Sequence, residues 1–240
     1  MLIDMHCHSY LSRDCKLDPR AVLKRAEELG LDGVAFTETN TQDGCDELLD
    51  LAASSKKVRV FVGLELFTDK GQYLCFFPNP LKVPDPVQMW GSNRETPWSA
   101  DEALPKLKGY GAAIVASRSY DRDVGYPAMD YIKTLTLLAA VEVFNPKVRA
   151  GANEAALEAA RALRLPGVAG SDARTSLDEL GYAATVFRKE FSTQVELIKA
   201  LSDGQYWPAM MGELPALRRP GEARAEEAAV KKSKKRRWRH

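Results

Sequence analysis

Two rhythms of apolar and polar residues alternate along this chain. Short blocks rich in Val, Ile, Leu, Ala and Phe are separated by stretches whose apolar residues recur every three or four positions. The first rhythm marks a buried strand and the second a helix packed along one face. Read this way, the pattern predicts strands over 2–8, 33–36, 58–67, 72–77, 112–117, 140–144, 167–173, 183–187 and 205–210. The first helix opens with Asp18 as N-cap and Pro19 at its first turn, carries Val22, Leu23, Ala26 and Leu29 on one stripe, and stops at Gly30. Further helices are predicted over 46–54, after Ser99, over 127–135, over 154–164 behind Asn153, and over 192–202 before Gly204. Ser99 with Glu102 has the spacing of a capping box, and Pro105 limits or bends the helix that follows. The segment 72–77 reads as the return strand of a hairpin, and the Pro-, Asn- and Gly-rich stretch 78–97 reads as a long loop over the site.

Repeated strand-then-helix units imply a parallel sheet with helices outside. About seven such units without a dinucleotide glycine fingerprint favour a closed or distorted barrel over an open sheet. In barrels of this kind the chemistry sits at the C-terminal ends of the strands. His6, His8, Glu38, Glu65, Ser117, Glu142, Asn145 and Asp172 all fall at or near such ends.

Composition adds limits. A chain of 240 residues with 45% hydrophobic and 28% charged residues can bury one sizeable core. The expected division is a barrel domain over 1–212 and a tail over 213–240. The net charge of +1 is unevenly spread: the part from Ala216 onward carries +7, and the remainder −6. That tail is low in apolar residues and is expected to be disordered alone, with non-specific attachment to nucleic acid and stacking by Trp238 as its functional reading. Cys7, Cys15, Cys45 and Cys75 form no Cys-x-x-Cys pair, which fits reduced thiols in a cytoplasmic protein better than a disulfide framework or a zinc ribbon. Neither a signal-peptide pattern nor an apolar stretch long enough to span a bilayer is visible, so no membrane partner is expected.

Only three histidines occur, and two of them, His6 and His8, stand two residues apart on the first strand. Side chains two apart on a strand point the same way, about 7 Å from one another, and a pair of imidazoles at that spacing can grip one divalent cation. Asp4 should share their face, either as an acceptor that orients an imidazole or as a solvent-facing carboxylate.

The order of short motifs now carries a resemblance. Asp4-Met5-His6-Cys7-His8-Ser9 resembles the opening Asp-x-His-x-His-Ser/Thr motif of the PHP (polymerase and histidinol phosphatase) domain family of metal-dependent phosphoesterases. Thr37-Glu38-Thr39-Asn40, Gly63-Leu64-Glu65, Ala116-Ser117-Arg118, Glu142-Val143-Phe144-Asn145 and Gly170-Ser171-Asp172-Ala173-Arg174 resemble its later motifs, in order. The resemblance implies a distorted (β/α)7-type barrel and up to three carboxylate-bridged metal ions, with a metal-activated water attacking a phosphomonoester or phosphodiester.

The chain departs from that pattern in a consistent way. Thr39, Ser117 and Arg174 stand where the family carries histidine, and strand 72–77 also lacks one. Carried over residue by residue, one metal site stays complete: His6, His8, Glu65 and Asp172, for a single Zn, Mn or Fe ion. A second site keeps Glu65 alone, with Cys75 or Ser117 as poor substitutes, and a third gains a guanidinium that cannot ligate a cation. Arg174 has two readings: a fixed cation that holds phosphate with Arg118, or an ion pair with Glu38 or Asp14. Asp4, Arg118 and Arg174 are therefore candidate catalytic residues, and Asp14, Glu38, Ser117, Glu142 and Asn145 candidate pocket residues. Two functions stay open: hydrolysis of a small phosphorylated substrate through a metal-bound hydroxide, or a degenerate barrel that binds phosphate, nucleic acid or a partner without turnover.

Overall fold

The computed structural model describes residues 1–91, 97–149 and 151–211. The tail over 213–240 lies outside the described residues. Nine strands form one sheet rolled into a nearly closed barrel: β1 (Leu2–Cys7), β2 (Gly33–Thr39), β3 (Arg59–Thr68), β4 (Gly71–Phe76), β5 (Ala113–Ser117), β6 (Leu138–Phe144), β7 (Gly167–Ala169), β8 (Ala183–Phe187) and β9 (Tyr206–Met210). Their lateral order is β7-β6-β5-β4-β3-β2-β1-β8-β9.

The sheet is mixed rather than all parallel. β1, β2 and β3 run parallel, as do β5, β6 and β7, but β4 is antiparallel to both neighbours and β8 is antiparallel to β1 and β9. The cause is connection length. A parallel return needs a crossover of a dozen or more residues, and the turn from Thr68 to Gly71 permits only a hairpin.

Side chains from β1 through β7 fill the barrel, among them Ile3, Met5, Ala35, Phe61, Leu74, Val115, Ala140 and Val168. Helices α1 (Pro19–Glu28), α2 (Cys45–Ser54), α3 (Pro86–Trp90), α4 (Ala100–Gly109), α5 (Ala152–Leu163) and α6 (Gln194–Asp203) complete the described α-helical elements. The α1 stripe Val22, Leu23 and Ala26 packs with Val34, Phe36, Val60 and Val62. On α4, Ala103, Leu104 and Leu107 pack with Leu64, Leu66, Tyr73 and Cys75.

Several local expectations are corrected. Segment 127–135 is a 3-10 helix over Met129–Thr134, and the long loop 78–97 contains a 3-10 turn at Pro80–Lys82 and α3. Ser99 makes no side-chain cap; Asp69 instead accepts from the Ala100 amide at 2.8 Å. Asn153 lies inside α5 rather than capping it, and its amide bonds both the N–H and the C=O of Asn145. Strand β7 ends at Ala169, because Gly170–Ala173 leaves the ladder to run along β1.

That departure closes the barrel mouth. Asp172 donates its amide to His6 O at 2.7 Å and His8 donates to Ala173 O at 3.1 Å. Below it, Thr185 on β8 covers the seam: its hydroxyl accepts from Ala169 N at 2.9 Å and donates to Ala169 O at 3.0 Å. Buried backbone groups left by the short β7 are thereby satisfied.

Candidate metal centre

A bulge in β1 aims the histidines. Asp4 pairs with Val34 and Cys7 with Phe36, so three steps on β1 match two on β2. A bulge of this kind breaks the two-residue alternation and re-aims side chains. Asp4, His6 and His8 therefore do not share one function. Asp4 is fully buried, and its Oδ1 accepts from the amides of His6 at 3.1 Å and Ser171 at 2.9 Å. It is neither solvent-facing nor bonded to an imidazole; it ties β1 to the segment after β7. Burial pushes its carboxyl up to about 7, and Oδ2 has no hydrogen-bond partner.

His6 and His8 turn into the mouth and meet edge to edge, with their Nε2 atoms 3.1 Å apart. Two carboxylates from distant strands converge on the same point. Glu65 on β3 places Oε1 3.3 Å from His6 Nε2 and Oε2 3.5 Å from His8 Nε2. Asp172 Oδ1 lies 3.4 Å from His8 Nε2 and 3.6 Å from His6 Nε2. All four side chains are buried. Ligand atoms of His6, His8 and Asp172 lie within 4.8 Å of one another, as a shared cation requires.

Glu142 orients His6. Its Oε1 lies 2.8 Å from His6 Nδ1, while its Oε2 accepts from Ser117 Oγ at 2.7 Å, Asn145 Nδ2 at 3.2 Å and the Arg118 amide at 3.3 Å. A carboxylate partner on Nδ1 fixes the ring and leaves Nε2 as the nitrogen directed at the cluster. The Glu142, Asn145 and Ser117 positions thus form one bonded group behind His6. Sequence patterns placed these three near the site but did not reveal that Glu142 touches the imidazole.

The charge balance is tight. Burial opposes a charge on His6, yet the carboxylates of Glu142, Asp172 and Glu65 outweigh it and hold its pKa well above the usual range. Burial likewise opposes charge on Glu65, but Arg174 and His6 bring its pKa down to about 2. Asp172 is held well below the usual carboxylate range against the same penalty, by His6, His8 and Arg174.

Arg174 and Arg118 supply the remaining positive charge. Arg174 donates from Nε to Asp172 Oδ1 at 2.8 Å, from Nη1 to Thr39 Oγ1 at 2.9 Å and Asp14 Oδ2 at 3.1 Å, and from Nη2 to Glu65 Oε2 at 2.5 Å. Arg118 donates from Nη1 to Asp172 Oδ2 at 3.1 Å and from Nη2 to Asp121 Oδ2 at 2.7 Å. Both Arg118 and Asp172 adopt left-handed backbone just past a strand end, with φ of 45° and 51°. Such conformations in non-glycine residues are held by surrounding contacts and gather at functional sites.

Other candidates fall elsewhere. Of the two carboxylates expected beside Arg174, Asp14 pairs with it, but Glu38 does not. Glu38 instead accepts from Ser9 N at 3.0 Å and Ser9 Oγ at 2.6 Å and from the Ser12 hydroxyl, pinning the loop after β1. Cys75 faces away from the mouth, among Leu64, Leu66 and Trp98, and cannot substitute for a ligand. Trp90 and Trp98 pack on one another, ring centroids 5.7 Å apart, and neither lines the cleft. The cleft above the cluster, about 480 Å³, is instead lined by Phe67, Gln72, Val124 and Tyr126 beside Arg118 and Arg174. Asp121, which anchors Arg118, carries no periodic or motif signal, and Gly170, though part of the last motif, gives no sign in the sequence that it lies against His6.

Comparison with known proteins agrees with this fold. An uncharacterized protein of Methanocaldococcus jannaschii is 29% identical over 161 residues, covering 63% of this chain and 85% of that protein. The fold matches PsfC from Pseudomonas syringae with a TM-score of 0.66 at 19% identity, over 97% of this chain and 98% of that one. It also matches a two-domain protein from Bacteroides vulgatus containing a predicted PHP-like metal-dependent phosphoesterase, with a TM-score of 0.65 at 16% identity, over 88% of this chain and 65% of that one. The model of the PHP domain matches residues 4–234. With that match spanning nearly the whole sequence, the chain belongs to the PHP domain family.

Proposed function

We propose that this chain is a metal-dependent phosphoesterase that acts on a small phosphomonoester or phosphodiester, with one divalent cation held by His6, His8, Glu65 and Asp172. The observation that carries the reading is the convergence of two imidazole Nε2 atoms and two carboxylates at one buried point. The donor set fits a cation. Glu142 engages Nδ1 of His6 and leaves Nε2 as the ring nitrogen that faces the cluster, and Glu65 Oε1 is buried without a hydrogen-bond partner. Mixed imidazole and carboxylate donors suit Zn, Mn or Fe.

When bound, the cation supplies Lewis-acid polarisation of a phosphoryl oxygen and lowers the pKa of water. The chain's own residues supply position and charge. Glu142 fixes the His6 ring, with Ser117 and Asn145 fixing Glu142 in turn. Arg118 and Arg174 line the cleft and offer positive charge to phosphoryl oxygens. Phe67, Val124 and Tyr126 form an apolar wall for the leaving group.

One observation favours a second reading, a phosphate-binding module without turnover. Every nitrogen of Arg118 and Arg174 already donates to a side-chain oxygen, so phosphate must compete with carboxylates for them. Elemental analysis and hydrolysis of p-nitrophenyl phosphate, run on the full chain and on His6→Ala, separate the readings. Hydrolysis predicts one divalent ion per chain, lost in His6→Ala together with turnover. Metal without turnover, combined with saturable phosphate binding, selects the binding module. A metal content unaffected by His6→Ala sinks the assigned centre.

A further inference from the structure

We infer that Arg174, backed by Arg118, is a resident cation that competes with the metal ion for Glu65 and Asp172 and thereby keeps the metal affinity of this centre low. The inference rests on the metal site proposed above. It concerns the same oxygens, not merely the same residues. Arg174 Nε binds Asp172 Oδ1, the atom 3.4 Å from His8 Nε2 and 3.6 Å from His6 Nε2. Its Nη2 binds Glu65 Oε2, the atom 3.5 Å from His8 Nε2. Arg118 takes the other oxygen of Asp172 at 3.1 Å.

A guanidinium cannot shed its proton at accessible pH, so this charge stays in place when a divalent ion arrives. The group is also well held. Its side chain is only 14% exposed, and Asp14 and Thr39 fix its far nitrogen. Two costs follow for an incoming ion: like-charge repulsion at short range in a buried site, and loss of charge-assisted bonds that the carboxylates already accept. The same contacts have a benefit for the metal-free protein. Buried carboxylates left without a counter-charge are destabilising, and Arg174 and Arg118 supply that charge without metal. The barrel is thus built to stay folded empty and to load its ion only where the ion is abundant or binds strongly to imidazole.

Titration calorimetry with Zn²⁺ and with Mn²⁺ on the chelator-stripped full chain tests this. Arg174→Gln keeps a hydrogen-bonding side chain and removes the charge. It should bind either ion about tenfold to a hundredfold more tightly, the scale on which groups bonded to metal ligands alter affinity. Arg174→Lys keeps the charge and should remain weak. Arg118→Gln should show a smaller gain in the same direction. Thermal melts give a second readout: in chelator, Arg174→Gln should melt below the parent, and added metal should raise its melting temperature by more than it raises the parent's. Equal or weaker affinity in Arg174→Gln, with His6→Ala abolishing binding in both backgrounds, overturns the inference and leaves the metal centre standing. Absence of binding in parent and Arg174→Gln alike overturns both.

Discussion

Gly170 shows how a single small residue sets the site. A Cβ built there would lie 2.4 Å from both the amide nitrogen and the Cβ of His6, a distance real side chains do not reach. The segment after β7 can therefore run along β1, and bring Asp172 to His6 and His8, only with glycine at this position. Gly170→Ala should force β1 and the 170–173 segment apart, costing roughly 1–3 kcal/mol as an overpacked core does. A urea midpoint compared with that of Gly109→Ala checks this. Nothing lies within 4 Å of a Cβ at Gly109, so that variant should be near neutral. Equal midpoints would show that the close approach is not as tight as described. Glu142 matters at the same scale for the opposite reason: it acts through many contacts, joining the His6 ring, Ser117, Asn145 and the Arg118 amide.

Among elements, the short 3-10 turn at Leu177–Glu179 supports the loop that carries Arg174. Glu179 Oε2 accepts from the amides of Arg174 at 2.9 Å and Thr175 at 3.0 Å, and Lys147 pairs with its other oxygen. Burial opposes the charge on Glu179, yet Lys147, the Thr175 hydroxyl and these amides outweigh it and bring its pKa down to about 2. The sign follows from linkage. A carboxyl with a folded pKa below its ordinary value of 4.5 contributes stability that is present above pH 4.5 and fades as pH falls toward 2. Glu179→Gln should therefore be less stable than the parent at pH 6, with the gap shrinking at pH 3. Urea midpoints at the two pH values measure it, and a gap independent of pH would contradict the assigned contacts. Helix ends tell a similar story. Thr193 and Glu196 form a full capping box on α6, whereas Ser99 and Glu102 have the same spacing and lose the cap to Asp69.

At the scale of the whole molecule, the division of charge is the clearest feature. The part from Ala216 carries +7 against −6 for the rest. Among the described residues no helix is long and apolar enough to cross a membrane. The basic segment suits contact with phosphate backbones, and the PHP match reaches residue 234, beyond the boundary expected at 212. We propose that this segment attaches the protein to nucleic acid without sequence preference. Binding of a random single-stranded oligonucleotide should then fall steeply between 50 and 200 mM salt, roughly 10³-fold or more if six or more phosphates are contacted. Removal of 218–240 should abolish it. Retained affinity after that removal would assign the contact to the barrel.

Much of the architecture was legible from local pattern. Burial rhythm, caps and turn residues act over a few positions, and they located the nine strands and most helices to within a few residues. Motif order pointed to His6, His8, Glu65 and Asp172, which do meet. The antiparallel β4 and β8, the bulge that separates Asp4 from the histidines, and the Arg174 grip on Glu65 and Asp172 were not legible in the same way. These depend on groups that are remote in the chain: His6 and Glu142 are 136 residues apart, and Arg174 and Glu65 are 109 apart. A local rhythm says which way a side chain leaves its own strand. Which charge waits for it depends on how the sheet rolls, on one bulge, and on a glycine that lets two backbones touch.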